Sequence, residues 1–204
     1  MTGAPQDAAE LIKGRSVMAI FRGFDTDRTV ELARRAWDLG IDLVEVPIQD
    51  DASVATLQAL LVEAKATGRT VGAGTVITPE QVADCAGWGV GFIVSPGLDA
   101  DVVRACGTAG LPHLPGVATP SEVQQAYRLG CTVQKAFPAS VLGTGWFAAM
   151  GGPFPQVRFV ATGGLDADNA ADFLAAGASM VALGSALTTP DQLNRVAAIV
   201  QQRG

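Results

Sequence analysis

Lys135 sits where a lysine is out of place. The stretch Cys131-Thr132-Val133-Gln134-Lys135-Ala136-Phe137-Pro138-Ala139-Ser140 is a strand-forming run that carries one cation and stops at a proline. Lysine is depleted in strands and is seldom buried without a partner or a task. The chain's other two lysines, Lys13 and Lys65, lie in polar helical contexts. A lysine among apolar neighbours has its pKa lowered, and the neutral amine can attack a ketone to form a Schiff base. Glu45, in Asp42-Leu43-Val44-Glu45-Val46-Pro47-Ile48, is its counterpart. On a strand whose inward set is Leu43, Glu45 and Pro47, this carboxylate would be buried, which is costly without a purpose. Two readings stand: a structural ion pair with Lys135 or Arg22, and a general acid–base raised in pKa by burial. An internal Glu–Lys pair would titrate as one coupled unit.

The elements that must position these residues follow from periodicity. Strand candidates are Val17–Phe21, Leu43–Val46, Val71–Ala73, Phe92–Ser95, Pro112–Leu114, Thr132–Ala136, Val157–Ala161 and Met180–Leu183. Helical faces alternate with them: Val30, Ala33 and Trp37; Val54, Leu57, Leu61 and Ala64; Val102, Cys106 and Ala109; Leu193, Val196, Ala197 and Val200. A short helix at about Gln6–Lys13 leads the chain. Thr78-Pro79-Glu80 and Thr119-Pro120-Ser121-Glu122 read as N-caps with proline in the first turn, and Gly40, Gly68, Gly110, Gly130 and Gly177 as helix stops. Eight such units with strands apolar on both faces predict a (β/α)8 TIM barrel over 1–204, one domain without a linker. A doubly wound open sheet is the runner-up, but Arg22-Gly23-Phe24-Asp25 after the first strand is no dinucleotide fingerprint.

In a barrel, functional residues gather at the C-terminal strand ends. Read in order, these are Arg22, Glu45, Thr75, Ser95-Pro96, Pro115-Gly116, Lys135, Thr162-Gly163-Gly164 and Gly184-Ser185. Glycine turns after strands seven and eight match the usual barrel phosphate site, with the Ser185 hydroxyl as a further donor; the plain alternative is tight turns alone. Arg22 can take a carboxylate through its two-pronged guanidinium, or be a solvated loop arginine. Thr75 can hydrogen-bond a carboxylate or carbonyl, or be an ordinary turn hydroxyl. The single histidine, His113, cannot build a multi-histidine metal site and is read as packing against a helix. Cys131 reads as core. No metal and no cofactor are expected.

Composition narrows the partners. Hydrophobic residues make up 49% and charged residues 17%, with 24 glycines, a globular and not a disordered balance. A formal net charge of −6 argues against nucleic acid as the main partner. Three cysteines without C-x-x-C spacing indicate neither a disulfide framework nor a zinc ribbon. No apolar run is long enough to span a bilayer, and the first residues lack the basic-then-apolar pattern of a secretory leader. A cytoplasmic protein with no membrane partner is expected.

Together, Leu43-Val44-Glu45-Val46, Gly72-Ala73-Gly74-Thr75-Val76, Ser95-Pro96-Gly97, Leu114-Pro115-Gly116, Lys135-Ala136-Phe137-Pro138-Ala139 and Thr162-Gly163-Gly164 run along nearly the whole chain. The set resembles the 2-keto-3-deoxy-6-phosphogluconate (KDPG) aldolase family, with its 6-phosphogalactonate (KDPGal) and 4-hydroxy-2-oxoglutarate relatives. The resemblance implies a class I pyruvate aldolase on a (β/α)8 barrel, usually a homotrimer, without metal. Its Schiff-base lysine falls on Lys135, its acid–base glutamate on Glu45, and its phosphate loop on Gly163, Gly164 and Ser185. Thr75 and Pro96 fall near the pyruvyl group. The phosphogluconate branch commonly reads Glu-Val-Thr-Leu-Arg where this chain has Glu45-Val46-Pro47-Ile48-Gln49, so the arginine that holds the substrate carboxylate is missing here. Arg22-Gly23 and Glu45-Val46-Pro47 lean towards the phosphogalactonate branch, while Gly152-Pro153-Phe154-Pro155-Gln156-Val157-Arg158-Phe159 and Thr162 lean towards the phosphogluconate branch. The expected reaction is reversible cleavage of a phosphorylated 2-keto-3-deoxy sugar acid to pyruvate and D-glyceraldehyde 3-phosphate. A phosphosugar epimerase or isomerase, and a non-catalytic phosphosugar-binding barrel, are the competing readings; neither explains Lys135 together with Glu45.

Overall fold

The computed structural model describes residues 8–184 and 187–201. Among them, parallel strands alternate with helices: β1 Val17–Ile20, β2 Leu43–Pro47, β3 Thr70–Gly74, β4 Phe92–Val94, β5 His113–Leu114, β6 Gly116–Val117, β7 Val133–Ala136, β8 Arg158–Thr162 and β9 Met180–Leu183. The sheet order is β5-β4-β3-β2-β1-β9-β8-β7-β6. The two ends of that order are neighbours in sequence. β5 pairs with β4, and β6 pairs with β7, so the stretch from His113 to Val117 completes the ring in two halves. Pro115, which has no N–H to give to a ladder, separates them. The eight predicted strands therefore occupy eight positions of a barrel, the fifth of them broken, which accounts for nine strands where eight were expected.

The period-2 alternation of strand side chains divides the core into two clusters. Val17, Ala19, Val44, Val46, Val71, Ala73, Ile93, Ala136, Ala161 and Val181 face outward and pack under the helices. Met18, Ile20, Leu43, Phe92, Val94, Leu114, Val133, Val160, Met180 and Ala182 fill the interior, together with Ala8, Ala9 and Ile12 of the leading segment. The helix α1 is short, Ala9–Ile12, and lies against this interior cluster. The predicted start at Gln6 falls outside the described residues.

Helix boundaries follow local chemistry. Thr78 and Thr119 each cap the third backbone N–H of their helices, α4 Pro79–Trp88 and α6 Pro120–Arg128, with capping boxes and proline in the first turn. Gly68 and Gly110 end α3 Asp51–Thr67 and α5 Ala100–Ala109 in the left-handed conformation that glycine adopts without penalty. Ala109, predicted to face the core, is exposed. The buried positions of α5 are Val102, Val103 and Cys106; Ala109 keeps their face but is the last residue of the helix, beyond the buried stretch. No described helix is long and apolar enough to cross a membrane.

Candidate active site

Glu45 and Lys135 occupy inward positions on β2 and β7, which stand four places apart in the ring, on opposite walls. Both are buried, at 1% and 4% exposure. β2 is held to its neighbours through the ladder and by the Phe21 N–H donating to the Glu45 carbonyl at 3.0 Å. On the other wall the Lys135 N–H donates to the Pro115 carbonyl at 2.9 Å. The carboxyl of Glu45 fits because residue 74 on β3 is glycine: a Cβ there would collide with Glu45 Oε1. Gly72, two residues earlier, leaves room for the Phe92 ring in the same way. Glycine weakens strands, so two inward glycines in one strand are a readable sign that another side chain fills the space.

Burial dominates the electrostatics. It pushes the Glu45 carboxyl up, opposed by the Lys135 and Arg22 charges. It pulls the Lys135 amine down; the Glu45 charge opposes this and the Arg22 charge adds to it. Both groups thus move towards their uncharged forms, as desolvation requires. They make no ion pair among the described residues, and the buried Glu45 Oε2 has no hydrogen-bond partner. A carboxylate placed only to balance a lysine would close that contact. The Lys135 Nζ lies 4.8 Å from the Phe137 ring centre, which leaves it oriented but not hydrogen-bonded.

Beside this pair opens a cavity of about 370 Å³, lined by Arg22, Thr162, Gly163, Gly164 and Gly184 among the predicted residues. Phe137 lines it as well and so connects it to Lys135. Gly163 and Gly164 have φ of 98° and 70°, and each lies so close to the segment after β7 that a side chain would strike Phe137 or Ser140. Glycine is required at both for conformation and for space, which is how a backbone comes to face a ligand closely. The Thr162 hydroxyl is buried with no partner. Ser185 lies outside the described residues.

Glu45, Lys135, Thr75 and Pro96 do not line this cavity. Thr75 follows β3, directly beside β2, and holds φ at 61°, rare for a β-branched residue. Such strain at a strand end is a pointer to function. Pro96 follows β4, and its carbonyl packs so tightly on Gly116 that no side chain fits there. The cavity also takes walls from Phe24, Leu165 and Thr188, in connecting segments where no periodic signal marks a residue as lining anything.

His113 shares a face with Ile93, its register partner, and not with the interior. Its Nε2 meets Ser95 Oγ at 2.8 Å, and Ser95 Oγ donates to the Val76 carbonyl at 2.7 Å, so the ring serves as the donor to Ser95. Burial holds its pKa down to about 4, hence neutral at pH 7. It ties β5 to the ends of β3 and β4. Cys131 is core, its thiol pushed up to about 12 by burial. Among the described residues no cluster of His, Cys, Asp and Glu could hold a metal ion.

A barrel mouth with an uncharged-leaning lysine, an unpartnered glutamate and glycine turns after β8 and β9 can do amine–carbonyl chemistry on an anionic substrate. Comparison with known proteins gives this geometry a family. The model of the KDPG and KHG aldolase family matches residues 8–201. A 2-dehydro-3-deoxy-phosphogluconate aldolase of Treponema pallidum (strain Nichols) is 35% identical over 170 residues, 83% of this chain and 79% of that one. A 2-dehydro-3-deoxy-6-phosphogalactonate aldolase of Escherichia coli (strain K12) is 33% identical over 172 residues, 84% and 83% of the two chains. Among solved structures, the KDPG aldolase from Legionella pneumophila, with pyruvate captured as a covalent carbinolamine, superposes with a TM-score of 0.83 at 27% identity. It covers 97% of this chain and 96% of that one. With the family model matched over residues 8–201 and a barrel and sequence alike along its length, the chain belongs to the KDPG and KHG aldolase family and is an aldolase.

Proposed function

We propose that the protein is a class I aldolase that reversibly cleaves 2-keto-3-deoxy-6-phosphogluconate, or its galactonate C4 epimer, to pyruvate and D-glyceraldehyde 3-phosphate, with 4-hydroxy-2-oxoglutarate as a further substrate. The observation that carries it is the buried pair, Lys135 shifted towards neutral amine and Glu45 with an unpartnered oxygen. The Lys135 amine attacks the C2 ketone, and loss of water leaves an iminium that can accept electrons. Glu45, directly or through a water, takes the C4 hydroxyl proton as the C3–C4 bond breaks; the bonding pair becomes the enamine and the aldehyde leaves. Glu45 returns the proton to C3, and water releases pyruvate from the lysine.

Gly163, Gly164, Gly184 and Ser185 take the phosphate, and that remote contact fixes the reacting carbon against Lys135. Arg22, itself exposed, lines the cavity and its charge reaches both Glu45 and Lys135, whereas Gln49, in the loop before α3, does not line it. That arrangement supports Arg22 as the group that takes the substrate carboxylate, with Thr75, Pro96 and Thr162 around the pyruvyl end. The family resemblance supports a homotrimer of single-domain barrels spanning 1–204, working in the cytoplasm without metal or cofactor and without nucleic acid or membrane partners.

Borohydride reduction in the presence of pyruvate should add a stable mass at Lys135. A phosphosugar epimerase or isomerase, or a binding barrel without chemistry, gains none, and that result would remove the aldolase reading of this site. A coupled pyruvate-release assay on the gluconate and galactonate epimers, run side by side, then assigns the C4 preference.

A further inference from the structure

The opposite end of the barrel holds a second polar pocket, which the reaction does not use. It has a volume of about 280 Å³ and is lined by Ile12, Lys13, Gly14, Arg15, Ser16, Arg158 and Ser179. Three cations and two hydroxyl side chains share this wall, and among the described residues no carboxylate does. In a chain of net charge −6 this is a marked local reversal of sign. Three elements meet to make it: the segment joining α1 to β1, the first residue of β8, and the residue before β9.

The cations are only weakly engaged elsewhere. Lys13 meets Glu10 at 3.3 Å, but the two side chains are 71% and 78% exposed, so solvent screens the pair to little net value. Arg15 Nε stands 3.8 Å from Asp42, too far for a hydrogen bond, and Asp42 is already held by Arg69 at 2.7 Å. That Nε is buried and has no hydrogen-bond partner. Arg15 is nonetheless held in place, since its Nη1 donates to the Leu11 carbonyl at 2.7 Å. Arg158 opens β8, its backbone N–H fixed to the Thr132 carbonyl at 2.9 Å, and its side chain is in no ion pair among the described residues. A buried guanidinium N–H without an acceptor and two further cations beside it lack a compact anion.

We propose that this pocket binds a phosphate dianion, free or as a small phosphate monoester, at a site separate from the catalytic mouth. The concave wall and its size suit one small anion; a polyanion would be repelled by the acidic chain around it. Bound there, the anion would join the α1 segment to β8 and β9. Ile12, beside Lys13, packs in the same interior cluster as Val133 and Val160, the residues two positions below Lys135 and Thr162. Occupancy therefore stabilises the floor under the reacting pair without touching it.

The test uses the full-length protein and inorganic phosphate, with chloride at matched ionic strength as the control. Phosphate should raise the melting temperature beyond chloride, because a ligand that binds only the folded state stabilises it by mass action. The double variant Lys13→Ser, Arg158→Ser should lose about half or more of that increment, while pyruvate release stays unchanged. Arg158→Lys, which keeps the charge, should retain most of it, and the single variant Lys13→Ser, at an exposed side chain, should lose part of it, which decides the matter if the double variant folds poorly. A parallel titration with glycerol 3-phosphate separates the sources through the part of the increment that the double variant loses: a larger lost part than with phosphate assigns an organic ester, an equal or smaller one assigns free phosphate. An increment equal to that of chloride, or one that survives in the double variant, overturns the proposal.

Discussion

The two layers inside this barrel lie on the same strands and differ by one step of two residues. In the lower layer Leu43, Val133, Val160 and Met180 are buried, apolar and packed against one another and α1. In the upper layer the same strands carry Glu45, Lys135, Thr162 and Ala182. The lower layer leaves no polar group to satisfy, so its burial stabilises the fold in full. The upper layer buries a carboxyl and a hydroxyl without partners and an amine shifted towards neutrality. Each of these costs stability. One ladder thus serves two ends: the floor supplies the surplus of stability that lets the mouth hold a carboxyl, a hydroxyl and an amine buried and unpaired.

The comparison breaks most completely at Lys135. Lys135→Met should reduce pyruvate release to background, since no other amine on the described interior wall can form the covalent link. Its stability against denaturant should hold or rise, because a buried amine is replaced by an apolar chain of similar length, and losing the Lys135 charge moves the Glu45 carboxyl further towards its uncharged form. A clear loss of stability instead would make Lys135 a structural cation. Glu45→Gln should lower turnover by about 10²–10⁴-fold, the range of a lost general base, while borohydride still traps pyruvate on Lys135. Burial raises Glu45, so its share of stability is full below the unfolded value of 4.5 and is lost as pH rises through the folded one. The glutamine variant should therefore be at least as stable as the parent at pH 7, with a flatter stability curve above pH 4.5.

One layer down, the same kind of truncation should act in the opposite manner. Leu43→Ala should cost about 2–5 kcal/mol of unfolding free energy, with pyruvate trapping at Lys135 intact at temperatures where the variant stays folded. Urea melts and the trapping assay, run on one preparation, measure both. The smallest effect belongs to the rim. Arg22→Gln removes a charge that lowers both Glu45 and Lys135, so both should titrate higher. Neutral Lys135 would then be reached only at higher pH, and the acid limb of kcat/KM should move up the pH scale. An unmoved limb with weaker substrate binding would confine Arg22 to the carboxylate contact.

Most of the frame was legible because its signals are local. The Thr78 and Thr119 caps, the glycine stops and the alternation of the strands depend on residues a few positions apart, and those appear in the structure as expected. Even Lys135 and Glu45 stood out, since a charge within an apolar strand violates a short-range pattern. The break at Pro115 was harder to read. Pro112–Leu114 looks like one strand, and only ring closure onto both β4 and β7 divides the stretch into β5 and β6.

By itself, then, the sequence determined the βα repeat, the inward parity of Glu45 and Lys135, and the family to which those residues belong. The tertiary structure alone decided that Gly74 makes the space for Glu45, that the Phe137 ring lies beside the Lys135 amine, and that Phe24, Leu165 and Thr188 wall the cavity. It also decided the meeting of Lys13, Arg15 and Arg158 at the far end. The physical reason is one of range. Caps, periods and strand parity arise from backbone geometry over a few residues, whereas a cavity wall or a shift in pKa depends on groups brought together by closing the ring.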